Sequence, residues 1–356
     1  QQVAQCRSCR GRGLHEPLKY AGKAMAHHPT PLKFLFPSWY AIVMGLCGLS
    51  LAWYRAVPLM GPLAGTVSRV VGALAAGVFV LLAAATLWRS VHHAEAWAED
   101  RRHPVRHVFI ATLPIALLLL AAVAVAQLGP SAWIAGLWWA GSLAQLFVTV
   151  WVLARWWRGN IAGGLQWAGV TPALILPVVG NVVAPLAGVA LGQAEWSAAQ
   201  FGIGLLFWPV VLVLLLVRIA VHGMVAARLL PTLFIVLAPP AVIGLAALQL
   251  GAPILVGWGL WGVGLFTLLW VGTQARQIAG LPFSLPHWAM SFPLAAFTAL
   301  TLRLGTPGTA VSLLGTLLLS LSSLLVLWLL MATVRGLRDG SLLAPEPVAA
   351  IVPAVG

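Results

Sequence analysis

Long apolar runs, separated by short breaks holding charges, Gly or Pro, organise this chain. They lie near 37–54, 67–88, 108–127, 131–154, 170–191, 197–217, 231–250, 252–271, 286–304 and 309–334. Each is close to the roughly 20 residues a helix needs to cross a hydrocarbon layer about 30 Å thick. The runs are continuous, not alternating, which predicts helices that satisfy their own backbone in lipid and argues against a β-barrel. The expected fold is an all-α integral membrane protein of ten transmembrane helices over 37–334, with a basic tail over 1–36 and a second tail over 335–356.

Proline placement subdivides these runs. Pro114 falls inside the third, Pro177 and Pro185 the fifth, Pro239 and Pro240 the seventh and Pro293 the ninth, whereas only Pro209 falls inside an even run. A helical Pro removes a hydrogen bond and bends the rod, which is tolerated where neighbours or a cavity satisfy the freed carbonyl. The first run has Gly45 and Gly48 instead, which allow bending and close approach. Bent odd and straighter even helices predict five helical hairpins, with the odd-numbered helices forming a central pore and the even ones packed outside against lipid.

Composition narrows the function. Of the 356 residues 61% are hydrophobic and 8% charged, which excludes an ordinary soluble domain. Twenty Lys and Arg face seven acids, but the basic residues sit in the breaks and not on one face, so no nucleic-acid partner is expected. With the N-terminus inside, 17 of the twenty lie on the inner side and only Arg55, Arg69 and Arg303 on the outer, which orients both termini to the cytoplasm. An odd number of spans would scramble that separation.

All seven acids, Glu16, Glu95, Glu99, Asp100, Glu195, Asp339 and Glu346, fall outside the runs. Proton-coupled pumps, cation channels and divalent-metal carriers place carboxylates on their pathways, so their absence points to anions or neutral solutes. Intramembrane enzymes are disfavoured too: no nucleophile–base pair, metal cluster or carboxylate pair is present, and His222 and His287 are isolated. Neither cofactor nor metal is expected, since Cys6 and Cys9 in CRSC are half a zinc site without a second pair at ligand spacing. The segment RSVHHAEAWAEDRRHPVRH, with charges alternating in sign, reads as a solvated interfacial loop. Intramembrane polarity is confined to residues such as Gln145, Asn181, Thr232, Ser291, Thr298 and Thr301. Asn181 stands out, beside Gly180 and between two prolines.

Four strings on odd runs carry a resemblance: FPSWYAIVMGLCGLSLAW from Phe36, PVVGNVVAPLAG from Pro177, LLPTLFIVLAPPA from Leu229 and HWAMSFPLAAFTALTLRL from His287. With them the chain resembles, over about residues 34–334, the tellurite-resistance/dicarboxylate transporter family. That family includes plant slow anion channels and fungal malate and sulfite transporters. The resemblance implies five hairpins around a pore, a homotrimer with one pore per subunit, and a pore-blocking phenylalanine on the ninth helix, matched here by Phe292. The candidate pore lining is Tyr40, Gly45, Gly48, Pro114, Gly180, Asn181, Pro239, Pro240, Ser291 and Pro293. The tails are short beside the long phosphorylated extensions of the plant channels, which favours the bacterial branch. The expected function is passive conduction of small anions such as chloride or nitrate across the cell's inner or plasma membrane. A secondary carrier of C4-dicarboxylates, sulfite or tellurite is the alternative.

Overall fold

The computed structural model describes residues 31–343 apart from Asn160 and Ala162. The CRSC motif and the other N-terminal tail residues before 31 lie outside the described residues. Among the described residues all regular structure is helical. The principal helices are α1 (Ala41–Arg55), α2 (Pro62–His92), α3 (Thr112–Leu128), α4 (Ala132–Leu153), α5 (Pro172–Gly188, itself broken), α6 (Ala194–His222), α7 (Ala238–Gln249), α8 (Ile254–Gly272), α9 (Ser291–Leu304) and α10 (Ala310–Arg338).

Seven helical stretches are long and apolar enough to cross a membrane: Pro62–His92, Arg106–Leu128, Ala132–Arg158, Ala194–His222, Ala227–Gln249, Ile254–Gly272 and Ala310–Arg338. The runs expected at 37–54, 170–191 and 286–304 are shorter as α-helix, because each is partly wound as 3₁₀-helix. Pro37–Tyr40 precedes α1, Leu285–Met290 precedes α9, and α5 alternates between Pro172–Leu174 (3₁₀), Ile175–Val179 (α), Gly180–Val183 (3₁₀) and Pro185–Gly188 (α).

The same device recurs in every odd helix. Arg106–Ala111 leads into α3 and the eleven-residue Ala227–Leu237 into α7, both as 3₁₀-helix. This changes the meaning of the prolines. Pro114, Pro239, Pro240 and Pro293 do not kink the middle of a rod; they stand second or third in the α-helical part, as Pro177 does in Ile175–Val179. Proline donates no N–H, so it interrupts the hydrogen-bond ladder where the 3₁₀ winding ends, and its fixed φ suits the α-helix that follows. They mark the junction where a tight 3₁₀ turn relaxes into α-helix.

Burial separates the two sets. In their most apolar stretch, 67% of the residues in Arg106–Leu128 and 83% in Ala227–Gln249 are buried, against 17–39% for the five long even helices. In α9 every residue except Arg303 is buried. The even helices instead expose large apolar side chains such as Leu81, Phe147, Leu206, Leu255 and Leu324, a surface matched to acyl chains. Each odd helix packs along its successor, and α1 also packs on α3, α3 on α5, α5 on α7, α7 on α9 and α9 on α1.

Hydrogen bonds tie odd helices to even ones. Trp138 Nε1 donates to the Ala184 carbonyl, Trp261 Nε1 to Thr301 Oγ1 and Trp288 Nε1 to Thr333 Oγ1 at 2.8–3.0 Å. Small residues permit the close approaches: a Cβ on Gly45 would lie 2.1 Å from Ser291 Oγ, and one on Gly188 2.1 Å from Ser197 Oγ.

The charged segment after α2 departs from the solvated loop that its alternating charges suggest. Ala94–Arg102 forms a helix, and Asp100 is 1% exposed, 2.7 Å from the guanidinium of the equally buried Arg89. Arg89 Nε donates to the Lys33 carbonyl and Arg106 reaches the other Asp100 oxygen at 3.4 Å. Pairing lets two charges stay buried, where either alone would have to remain in water.

Candidate functional site

The five 3₁₀-to-α junctions surround one narrow cavity of about 60 Å³. Ala41 and Met44 reach it from α1, Phe109, Thr112 and Ile115 from around the start of α3, and Ile175, Leu176, Val179, Gly180, Val182 and Val183 from α5. Ile235, Ala238 and Val242 come from the α7 region, and Trp288, Ala289, Phe292 and Pro293 from the α9 region. Among the described residues no carboxylate, Lys or Arg lines it. The hydroxyl of Thr112 is turned to the backbone, its one proton shared between the Pro37 and Phe109 carbonyls at 2.6 and 2.7 Å. The space is bordered by methyl groups and rings.

Phe292 is 8% exposed, and its ring is backed by Gly48: a Cβ there would lie 3.0 Å from Phe292 Cδ2. Any larger residue at 48 would press on the ring, so this glycine leaves room for it. Gly180 and Pro293 also line the cavity.

The other residues picked from the sequence are placed elsewhere. The Tyr40 side chain is fully buried against α2, its hydroxyl donating to Thr86 Oγ1 at 3.1 Å. Gly45 and Ser291 face each other across the α1–α9 contact, with Ser291 Oγ donating to the Trp288 carbonyl at 2.6 Å. Pro114, Pro239 and Pro240 are buried at the junctions without lining the space. Asn181 is fully buried but directed toward the even helices. Its Nδ2 donates to Thr149 Oγ1 at 2.8 Å and to the Val178 carbonyl at 3.0 Å, and its Oδ1 accepts from Gln200 Nε2 at 3.4 Å. Gln145 Nε2 and Thr149 Oγ1 donate to the Pro177 carbonyl at 2.9 and 2.5 Å, in the same network. These amides repair the interrupted backbone of α5.

Met44, Phe109, Ile115, Ile235 and Trp288 were not singled out by the sequence. A usable signal was present for one of them: Trp288 opens the aromatic stretch that runs into Phe292 and Pro293.

A second cavity adjoins the first, sharing Ala41, Phe109 and Ala289 with it. Its character differs, since Ser38, His103, Arg106, Arg228 and Thr232 contribute to its wall. His103 Nδ1 accepts the backbone N–H groups of Val105 and Arg106 at 3.1 and 3.2 Å, which leaves the ring proton on Nε2. Burial first, then the nearby Arg106 charge, hold this imidazole below its ordinary pKa, hence neutral at pH 7. Arg106 is held over the Phe36 ring at 5.7 Å and by Glu99 and Asp100 at 3.6 and 3.4 Å.

An all-helical multi-pass arrangement with an apolar outer surface defines an integral membrane protein. The chain belongs to the voltage-dependent anion channel family, whose profile matches residues 35–334. It is 26% identical over 291 residues to the S-type anion channel SLAH2 of Arabidopsis thaliana, covering 80% of this chain but only 55% of that relative's length. It is also 26% identical over 271 residues to the tellurite resistance protein TehA homolog of Haemophilus influenzae, covering 75% of this chain and 80% of the relative. Similarity of 23% over 336 residues extends to the sulfite efflux pump SSU1 of Trichophyton rubrum, with 83% and 88% covered.

Proposed function

We propose that this chain conducts small inorganic anions, such as chloride, nitrate or related oxyanions, passively along a central pore built by the odd-numbered helices of five hairpins, with Phe292 as its stopper. The observation that carries this reading is the convergence of all five 3₁₀-to-α junctions on one apolar cavity that Phe292 enters. Counting 3₁₀ turns at 2.0 Å and α-helix at 1.5 Å per residue, Pro37–Arg55 extends about 30 Å and Leu285–Leu304 about 33 Å. Both lengths suit a span, which supports ten crossings.

A dry, uncharged bore obstructs an ion by stripping its water, so a ring across the narrowest part is a hydrophobic gate, and opening requires the ring to move. Selectivity against cations comes from basic residues at the ends. Arg106 and Arg228 lie at one end of the bore, which we assign to the cytoplasm with both termini, in a cell inner or plasma membrane. A homotrimer with one pore per subunit completes the proposal.

The relative named as an efflux pump favours a second reading, a carrier of sulfite, tellurite or a C4-dicarboxylate. A carrier needs a site that binds and alternates, yet among the described residues the bore offers no cationic pair to hold two carboxylates. Flux from proteoliposomes separates the two. Electrogenic chloride or nitrate efflux without saturation at low millimolar substrate supports the channel; saturable counterflow of labelled sulfite or malate supports the carrier.

A further inference from the structure

Where α4 ends, three arginines line one open cavity of about 400 Å³, several times the volume of the apolar bore. Arg102 comes from the Ala94–Arg102 helix, and Arg155 and Arg158 from the turns that follow α4; Trp151, Ala154 and Gly163 complete the wall. Arg155 is held in place: its guanidinium lies 4.2 Å from the centre of the Trp151 ring, and its Nη2 donates to the Arg101 carbonyl at 2.6 Å. The backbone at Gly163 passes so near Arg158 that a Cβ there would lie 3.3 Å from Nη1. Among the described residues no Asp or Glu lines this cavity, and none stands within ion-pairing distance of these three arginines. Like charges gathered without a counter-charge repel one another, so an anion that bridges them is favoured.

The helix leading to the cavity adds an apolar track. Leu143, Phe147, Val150 and Ala154 recur at helical spacing, so they form one stripe along α4, and all four are exposed. The stripe runs from mid-helix into the cavity, where Ala154 is part of the wall. Trp157, 91% exposed, stands beside it and is the residue type that settles at the headgroup level of a bilayer. We propose that this cavity binds the phosphate of an anionic phospholipid, with Arg102, Arg155 and Arg158 donating to its oxygens and an acyl chain lying along Leu143, Phe147 and Val150. Arginine suits the task because its planar fork of N–H donors meets two phosphate oxygens at once. A free phosphate has the same oxygens but nothing to lay on the stripe, which decides for the lipid. The site stands apart from the bore and holds whether or not the bore conducts. A lipid bound here ties the Ala94–Arg102 helix, which carries Asp100 of the buried ion pair, to the end of α4, so occupancy stabilises the fold.

The test is thermal unfolding of the full chain in mixed micelles as dioleoyl phosphatidylglycerol replaces dioleoyl phosphatidylcholine at constant total lipid and ionic strength. In the wild type the midpoint should rise saturably with the phosphatidylglycerol fraction. Arg102→Gln with Arg158→Gln alters two exposed side chains and spares the anchored Arg155. In that double variant the half-saturating fraction should rise at least about tenfold, the scale of losing two basic residues at an anionic lipid. Arg335→Gln with Arg338→Gln removes the same charge from exposed positions at the end of α10 and should leave the curve unchanged. Arg155→Lys keeps the charge but loses the fork, and should weaken binding by less than the double variant does. Identical curves in the two lipids, or equal weakening in the two double variants, overturn the site. Inorganic phosphate that reproduces the phosphatidylglycerol shift in the wild type, and loses it in the Arg102 and Arg158 double variant, overturns the lipid as occupant.

Discussion

Replacing Gly48 by alanine places a methyl group 3.0 Å from Cδ2 of Phe292 and 3.2 Å from Cβ of Ala295. Carbon atoms prefer about 3.5–4.0 Å, so the ring or the helix must yield by several tenths of an ångström. Turning the ring off its rotamer costs about 0.5–1.5 kcal/mol, and parting α1 from α9 loses packing along a contact that also includes Gly45 against Ser291. Overpacking of this kind typically costs about 1–3 kcal/mol. In a Phe292→Ala background the nearer clash is gone and only Ala295 remains, so the penalty of Gly48→Ala should drop by about half or more. Denaturant unfolding of the four proteins in mixed micelles gives the cycle directly, with an expected coupling of about 1 kcal/mol. Additivity within about 0.5 kcal/mol would mean that Gly48 does not seat the ring, and the reasoning about the stopper's position would fail.

Asp100→Ala should destabilise the protein by about 3–5 kcal/mol in the same assay, because it leaves the buried Arg89 charge uncompensated; a loss below about 1 kcal/mol would place the pair in water. Asn181→Ala should cost about 1–3 kcal/mol by removing one buried hydrogen bond each from Thr149, Gln200 and the Val178 carbonyl while leaving unitary conductance and anion selectivity unaltered, and a change in selectivity at full stability would return Asn181 to the pathway. His103 has a folded-state pKa below its ordinary value of 6.5, so the neutral ring's contribution is present above that pH and is lost as the pH falls toward the lower folded value. His103→Asn, which keeps an acceptor for the Val105 and Arg106 N–H groups, should flatten the acid limb of a stability–pH curve; an unaltered limb would mean the ring is solvated.

Hydropathy made the apolar segments legible, and proline spacing separated odd from even helices, because both depend on local chemistry. The 3₁₀ lead-in was not legible, since nothing in PSWY or LPHWAM distinguishes a 3₁₀ turn from the first turn of an α-helix. That is why Pro114 and Pro293 suggest mid-rod bends but occupy first turns instead. Direction was the other gap. Gly45 and Gly48, three apart, had to share a face, but only packing shows that the face meets α9. Asn181 announces polarity without saying that Thr149 and Gln200 absorb it. Arg89 and Asp100 are eleven positions apart in a segment whose charges alternate, and only the docking of the Ala94–Arg102 helix against the end of α2 turns them into a buried pair.

The central claim is that Phe292 plugs an anion-conducting bore, and current through planar bilayers tests it most directly. Under a chloride gradient the reversal potential should lie near the chloride equilibrium potential. Phe292→Ala should raise the unitary conductance at least tenfold over the wild type without shifting that potential, while a conservative Phe292→Leu falls between. Equal conductance in all three proteins, or a reversal potential at the cation value, would contradict the account.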